Sequence, residues 1–113
     1  MSSWRSATLA AVKPLTREEL DAMVAEATVD CYNDGECVTG FYTMIEEHLA
    51  TPFQTSVLGV DVTVAKVDLT ADDMIMVVCT RGRSRQRIPI LDLPLPEPPP
   101  EGAEWIEAYR RWL

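Results

Sequence analysis

The chain has little of what a membrane protein or a disulfide-rich secreted protein needs. Its longest apolar run, residues 74–79, is far shorter than the roughly 20 apolar residues that span a bilayer. Residues 1–15 contain no long apolar segment of the kind found in secretory leaders. The cysteines number only three, and an odd count does not fit a disulfide scaffold, so we expect Cys31, Cys37 and Cys79 to be reduced, mostly buried thiols. We therefore predict a cytoplasmic protein without membrane association.

Catalytic and zinc-binding patterns are also lacking. The chain has a single histidine, His48. No serine or cysteine nucleophile with an orienting acid is recognisable as its partner in a catalytic triad. Cys31 and Cys37 are separated by five residues, which is not a usual spacing for zinc ligands. We predict that the protein is not an enzyme and does not hold zinc.

Size and composition favour one ordered domain. The chain has 113 residues, of which 47% are hydrophobic and 25% charged, close to the globular average. Six of the 8 prolines fall between residues 89 and 100, which predicts a stiff extended connector. Residues 1–15 show no sustained period, so we predict a flexible arm there and a single domain over residues 16–113.

Helical patterns occur at both ends of the predicted domain. Thr16 and Glu19 have the spacing of a capping box, and apolar residues follow at intervals of three and four. Residues 32–35 favour a bend, because Asn, Asp and Gly leave helical geometry easily. The helical period resumes over residues 36–50, and a last, aromatic-rich helix is predicted over residues 103–113, packed back on the body.

The middle of the chain has the pattern of short antiparallel strands. Residues 60–64 alternate valine with polar side chains, which is the period of a half-buried strand. Residues 70–73 predict a turn, 74–80 a buried strand, 81–84 a hairpin tip and 86–91 the returning strand. The predicted fold class is α+β: N-terminal helical segments on a small antiparallel, SH3-like barrel or sheet, with a short C-terminal helix.

The net charge of −8, from 18 acidic and 10 basic residues, disfavours binding to nucleic acid or anionic membranes. The charge is not evenly spread. Residues 16–50 contain nine acids and one arginine, whereas residues 81–88 contain four arginines and no acid. The two regions therefore predict different partners.

The acidic region contains carboxylates at the predicted bend and one helical segment later: Asp30, Asp34, Glu36, Glu46 and Glu47. Carboxylates that lie close together repel each other, and Ca²⁺ relieves that repulsion while taking about 6 to 8 oxygen ligands. The plain alternative is that these acids only solvate a helix surface.

An EF-hand does not explain the acidic region. If Asp30 is placed at the first position of an EF-hand loop, Asp34 falls at the fifth position and Gly35 falls at the position of the obligatory glycine. Tyr32 then stands at the third position and Phe41 at the twelfth, where a bidentate glutamate closes the loop. Any calcium site here is of another kind.

The same region carries a family signature. The matching stretches are residues 29–32 (VDCY), Asp34 and Glu36, residues 40–42 (GFY), Glu46 and Glu47, Leu49, and residues 52–53 (PF). In order and spacing they resemble the small acidic calcium-binding proteins of cyanobacteria and other bacteria. Residues 88–93 and 105–112 are similar to that family's last strand and terminal segment.

The resemblance implies a calcium-binding protein, acting as a buffer or in signalling, with a non-EF-hand site in a helix-plus-SH3-like fold. The acidic positions that match the family pattern are Asp30, Asp34, Glu36, Glu46 and Glu47. Asn33 and Gly35 stand where relatives are often acidic or bulky, which predicts a weaker site.

A second interpretation rests on the arginines. Arg81, Arg83, Arg85 and Arg87 are spaced by two, so we expect them to project to one face of the hairpin. That face would suit an acidic protein or nucleic acid, making the chain an SH3-like interaction module in which the acids serve solubility. The plain alternative is a soluble hairpin tip whose charge discourages strand pairing.

Overall fold

The computed structural model describes residues 15–113, so most of the predicted N-terminal arm, residues 1–14, lies outside the described part. The first helix, α1 (Arg17–Ala27), begins with the predicted capping box. The Glu19 amide donates to Thr16 Oγ1 (3.0 Å), and the Thr16 amide donates to Glu19 Oε1 (2.8 Å). The helix start is thereby confirmed, because two amides without helical partners are satisfied.

The second helix, α2 (Asp34–His48), begins two residues before its predicted start. Asn33 caps it, since its side chain accepts from the Glu36 amide, and the residues predicted to bend become the cap and first turn. Phe41 and Ile45 are fully buried on its core face. The predicted break between the two helices is confirmed, and its position is set by the cap.

Four strands follow in an antiparallel meander with the order β1-β2-β3-β4. They are β1 (Phe53–Val57), β2 (Val60–Leu69), β3 (Ile75–Arg81) and β4 (Ser84–Pro89). This confirms the α+β class. Within residues 15–113 the sheet is open, and β1 and β4 are its edge strands.

One face of the sheet packs against the helices. Val64 and Val67 on β2 are both buried although they are three residues apart, an odd spacing that normally places side chains on opposite faces. A register shift between Val64 and Lys66 explains this, because a β-bulge restores the inward direction. Val77 and Cys79 on β3 complete this part of the core.

The chain returns through a 3-10 turn (Ile90–Asp92) and the proline-rich segment to α3 (Glu104–Trp112). The α3 helix packs on the body as predicted. The ring centroid of Phe41 lies 5.4 Å from the ring centroids of both Tyr109 and Trp112. Arg111 also donates to Asp21 of α1 at 2.6 Å. Within residues 15–113, no helix is long and apolar enough to cross a membrane.

Candidate functional site

The acidic corner, residues 28–36, comprises the connection between α1 and α2 and the first turn of α2. Thr28 is the C-cap of α1, and both its amide and its hydroxyl donate to the Val24 carbonyl, at 3.0 and 2.8 Å. Asp30 then takes a left-handed backbone conformation with φ 63°, which Asp tolerates better than most residues. The chain therefore turns sharply before α2 begins.

Two side chains are fixed at the start of α2. Asn33 Oδ1 accepts from the Glu36 amide at 2.9 Å, and Glu36 Oε1 accepts from the Tyr32 amide at 2.7 Å. A carboxylate near a helix N-terminus is also favoured by the helix dipole. The other carboxylate oxygen of Glu36, Oε2, accepts no hydrogen bond from a described residue.

A disulfide between Cys31 and Cys37 closes the acidic corner, with Cα atoms 5.4 Å apart. The prediction of three reduced thiols is therefore wrong for this pair, since the turn brings residues six apart in sequence within bonding reach. Cys79 is free and buried, and burial raises the pKa of its thiol. The disulfide removes the cysteine argument for a cytoplasmic location, which stays a prediction.

The five acidic residues of the sequence prediction fall into two separate groups. Asp30, Asp34 and Glu36 lie in the acidic corner and are all exposed. Glu46 and Glu47 lie near the other end of α2, about 15 Å further along the axis at a rise of about 1.5 Å per residue. The helix therefore keeps the two groups from sharing one coordination sphere.

Glu46 has a different neighbour. The Tyr42 hydroxyl donates to Glu46 Oε2 at 3.2 Å, one helical turn away. Burial and this carboxylate both raise the pKa of the Tyr42 hydroxyl. The contact is a surface hydrogen bond along α2.

Asp73 reaches the acidic corner from the sheet, and it is not among the residues that the sequence predicts for the site. It ends the β2–β3 turn with φ 61°, where the Thr70 hydroxyl accepts from the amides of Asp72 and Met74. A methyl group placed on Gly35 would lie 2.8 Å from Asp73 Oδ2 and 3.4 Å from Asn33 Oδ1. Side-chain oxygens from two distant segments therefore converge over the glycine.

No local sequence signal marks Asp73. The sequence predicts only a turn at residues 70–73, and the contact depends on how β2 and β3 are placed against α2. A general signal was present in Gly35, because a glycine inside a helix often marks the close approach of another segment.

Among the described residues, no three His, Cys, Asp or Glu side chains are already arranged as a metal-binding group. The acidic corner instead supplies exposed carboxylates, an amide oxygen and backbone carbonyls. Such hard oxygen donors suit Ca²⁺ or Mg²⁺ better than zinc or copper.

The arginines do not share one face. The hairpin turn has two residues, Gly82 and Arg83, so Arg81 pairs with Ser84 and Arg85 pairs with Thr80. Side chains of paired residues share a face and alternate along a strand, which places Arg81 opposite to Arg85. The expectation of one common face is therefore wrong, because spacing by two does not continue across an even-numbered turn.

Comparisons with known proteins support the architecture. The fold is similar to that in the crystal structure of Anabaena CcbP, with a TM-score of 0.65 over 89% of this chain and 94% of that chain. Sequence identity is 15%, so the likeness shows a shared fold. Neither protein-family models nor curated proteins give a match.

Proposed function

We propose that this protein binds calcium, without catalytic activity, and that the acidic corner and Asp73 together hold the ion. The observation that carries the proposal is the convergence of Asp73 Oδ2 and Asn33 Oδ1 over Gly35. Both oxygens lie within 3.4 Å of the position that a Cβ atom on residue 35 would occupy. Ca²⁺ holds its oxygens at roughly 2.3–2.6 Å, so an ion bound beside Gly35 would draw both side chains toward one centre.

The charges of the corner support the same conclusion. Asp30, Asp34 and Glu36 lie within seven residues and form no ion pair with any described residue. Bringing them and Asp73 together costs electrostatic repulsion, which a divalent cation removes.

The structural neighbour supports calcium as the ion. CcbP is a cyanobacterial calcium-binding protein, and it shares this fold along nearly the whole chain. The property is carried to the present chain as part of the proposal, together with the sequence signature at residues 29–53.

An ion in this position would tie the β2–β3 turn to the α1–α2 connection. It would stabilise the folded protein by RT ln(1 + [Ca²⁺]/Kd), about 2.7 kcal/mol when calcium is at 100 times Kd. A calcium buffer needs only this binding. A signalling role also needs the two helices to change their angle on binding.

Calorimetric titration of the metal-free protein tests the proposal, with thermal unfolding measured with and without calcium. We expect heat of binding and a higher Tm in calcium, with a smaller effect of magnesium. Absence of both heat and stabilisation at millimolar calcium would refute calcium binding.

Matched amide variants locate the ion. Asp30→Asn and Asp73→Asn keep the size of the side chain, and Asn tolerates the positive φ at both positions. Each should weaken calcium binding, whereas Glu47→Gln, at the far end of α2, should not. Binding that is lost in Glu47→Gln and kept in the other two variants would place the ion elsewhere.

A further inference from the structure

Strand β4 is a sheet edge with an unusual charge. It pairs with β3 on one side, and no strand of residues 15–113 pairs with its other side. Residues 84–87 are all exposed. An open edge of this kind is a template for pairing with another extended chain.

The hairpin determines which backbone groups are available. In this two-residue turn the closing pair, Arg81 and Ser84, is hydrogen-bonded, and bonded and non-bonded pairs then alternate along the ladder. The amides and carbonyls of Arg85 and Arg87 therefore point away from β3. Pro89, which has no amide hydrogen, ends the usable edge.

The side chains above this edge form a basic strip. Arg85 and Arg87 share the outer face of the sheet with Lys66, because Val78 pairs with both Arg87 and Lys66. Val78 is only 3% exposed on this outer face, so it forms an apolar floor.

One acid accompanies the basic strip. Asp68 pairs with Arg87, which holds the pKa of the Asp68 carboxyl below its ordinary value. Lys66 and Arg85 form no ion pair with any described residue, so positive charge remains on a protein of net charge −8.

We propose that β4 binds an acidic, extended peptide segment of a partner protein as an added fifth strand. Carboxylates two residues apart on an extended chain are about 6.8 Å apart, the same repeat as Arg85 and Arg87. The free backbone groups supply strand pairing and the arginines select acidic side chains. The proposal does not depend on calcium binding.

Two other occupants fit less well. A second copy of this chain, pairing through β4, would bring arginines against arginines, and like charges across strands repel. Nucleic acid has no extended peptide backbone, so it cannot pair with the free amides and carbonyls of this edge.

Fluorescence anisotropy with a labelled ten-residue peptide, in which glutamate alternates with threonine, tests the inference. We expect saturable binding to the full-length protein that weakens about tenfold in Arg85→Glu/Arg87→Glu. Arg17→Glu on α1, also exposed, is the control for a change of charge and should bind like the wild type.

A second peptide separates strand addition from simple charge attraction. N-methylation of alternate backbone amides removes hydrogen bonding and keeps every carboxylate, so it should abolish binding. Equal binding of the methylated peptide, tighter binding of a single-stranded oligonucleotide, or no binding of either peptide would overturn the proposal. In the wild type, the amide hydrogens of Arg85 and Arg87 should exchange more slowly once the peptide is bound.

Discussion

Gly40→Ala should destabilise the protein, although alanine is the better helix former. Gly40 lies in the middle of α2, where replacement by alanine normally gains about 1 kcal/mol. Here a methyl group would lie 2.0 Å from the carbonyl oxygen and 3.2 Å from the carbonyl carbon of Ala27, the last residue of α1. The glycine therefore allows the two helices to approach closely beside the acidic corner.

The magnitude follows from what has to move. The obstructing atoms belong to the backbone, so no side-chain rotation relieves the overlap, and α1 must shift relative to α2. Inserting a methyl group into a well-packed site costs about 1 to 3 kcal/mol, and a backbone obstacle favours the upper end. After the gain in helix propensity, we expect a net loss of about 2 kcal/mol, which lowers Tm by roughly 8 °C.

Urea denaturation followed by far-UV circular dichroism measures this loss. Thr39→Ala is the control, because Thr39 is exposed on the same helix and its change to alanine should alter stability by less than about 0.5 kcal/mol. A Gly40→Ala variant as stable as the wild type would refute the close packing of α1 on α2.

Three further predictions concern the described helices and their connection. The double substitution Cys31→Ser/Cys37→Ser should lower the free energy of unfolding by about 2 kcal/mol, because the disulfide closes a short loop in the unfolded chain. Equal urea midpoints for the variant and the oxidised wild type would contradict this prediction. Arg111→Gln should lower Tm at neutral pH but not in acid. The hydrogen bond from Arg111 lowers the pKa of Asp21 below 3.8. The stability that this ion pair contributes is therefore present above pH 3.8 and is lost as the pH falls through the folded-state pKa of Asp21. A Tm difference that persists unchanged at the lowest pH would argue against this ion pair. Thr16→Ala should cost about 1 kcal/mol and lower the hydrogen-exchange protection of the first turn of α1; unchanged protection there would mean that the cap contributes little.

The elements of the fold were largely predictable because their signals are local. The capping box at Thr16 and the valine alternation at residues 60–64 depend on neighbours within a few residues, and both have the predicted outcome. Predicted boundaries shifted by about two residues at α2 and β4, where a cap and a two-residue turn decide the ends. The bulge after Val64 had no such signal.

The candidate site was predictable only in part. Asp30, Asp34 and Glu36 are close in sequence and necessarily close in space. Their separation from Glu46 and Glu47 followed only once α2 was known to be one continuous helix. The Cys31–Cys37 disulfide was not predicted, because an odd cysteine count does not reveal which pair a turn brings together.

By itself, the sequence determined the α+β class, the acidic connection between two helices and the basic hairpin, because periodicity, capping and charge act over short distances. Only the tertiary structure decided that Asp73 meets Gly35, and that Arg81 and Arg85 lie on opposite faces. The first depends on packing the sheet against α2. The second depends on strand register, and a shift of one residue in register reverses the face of every side chain.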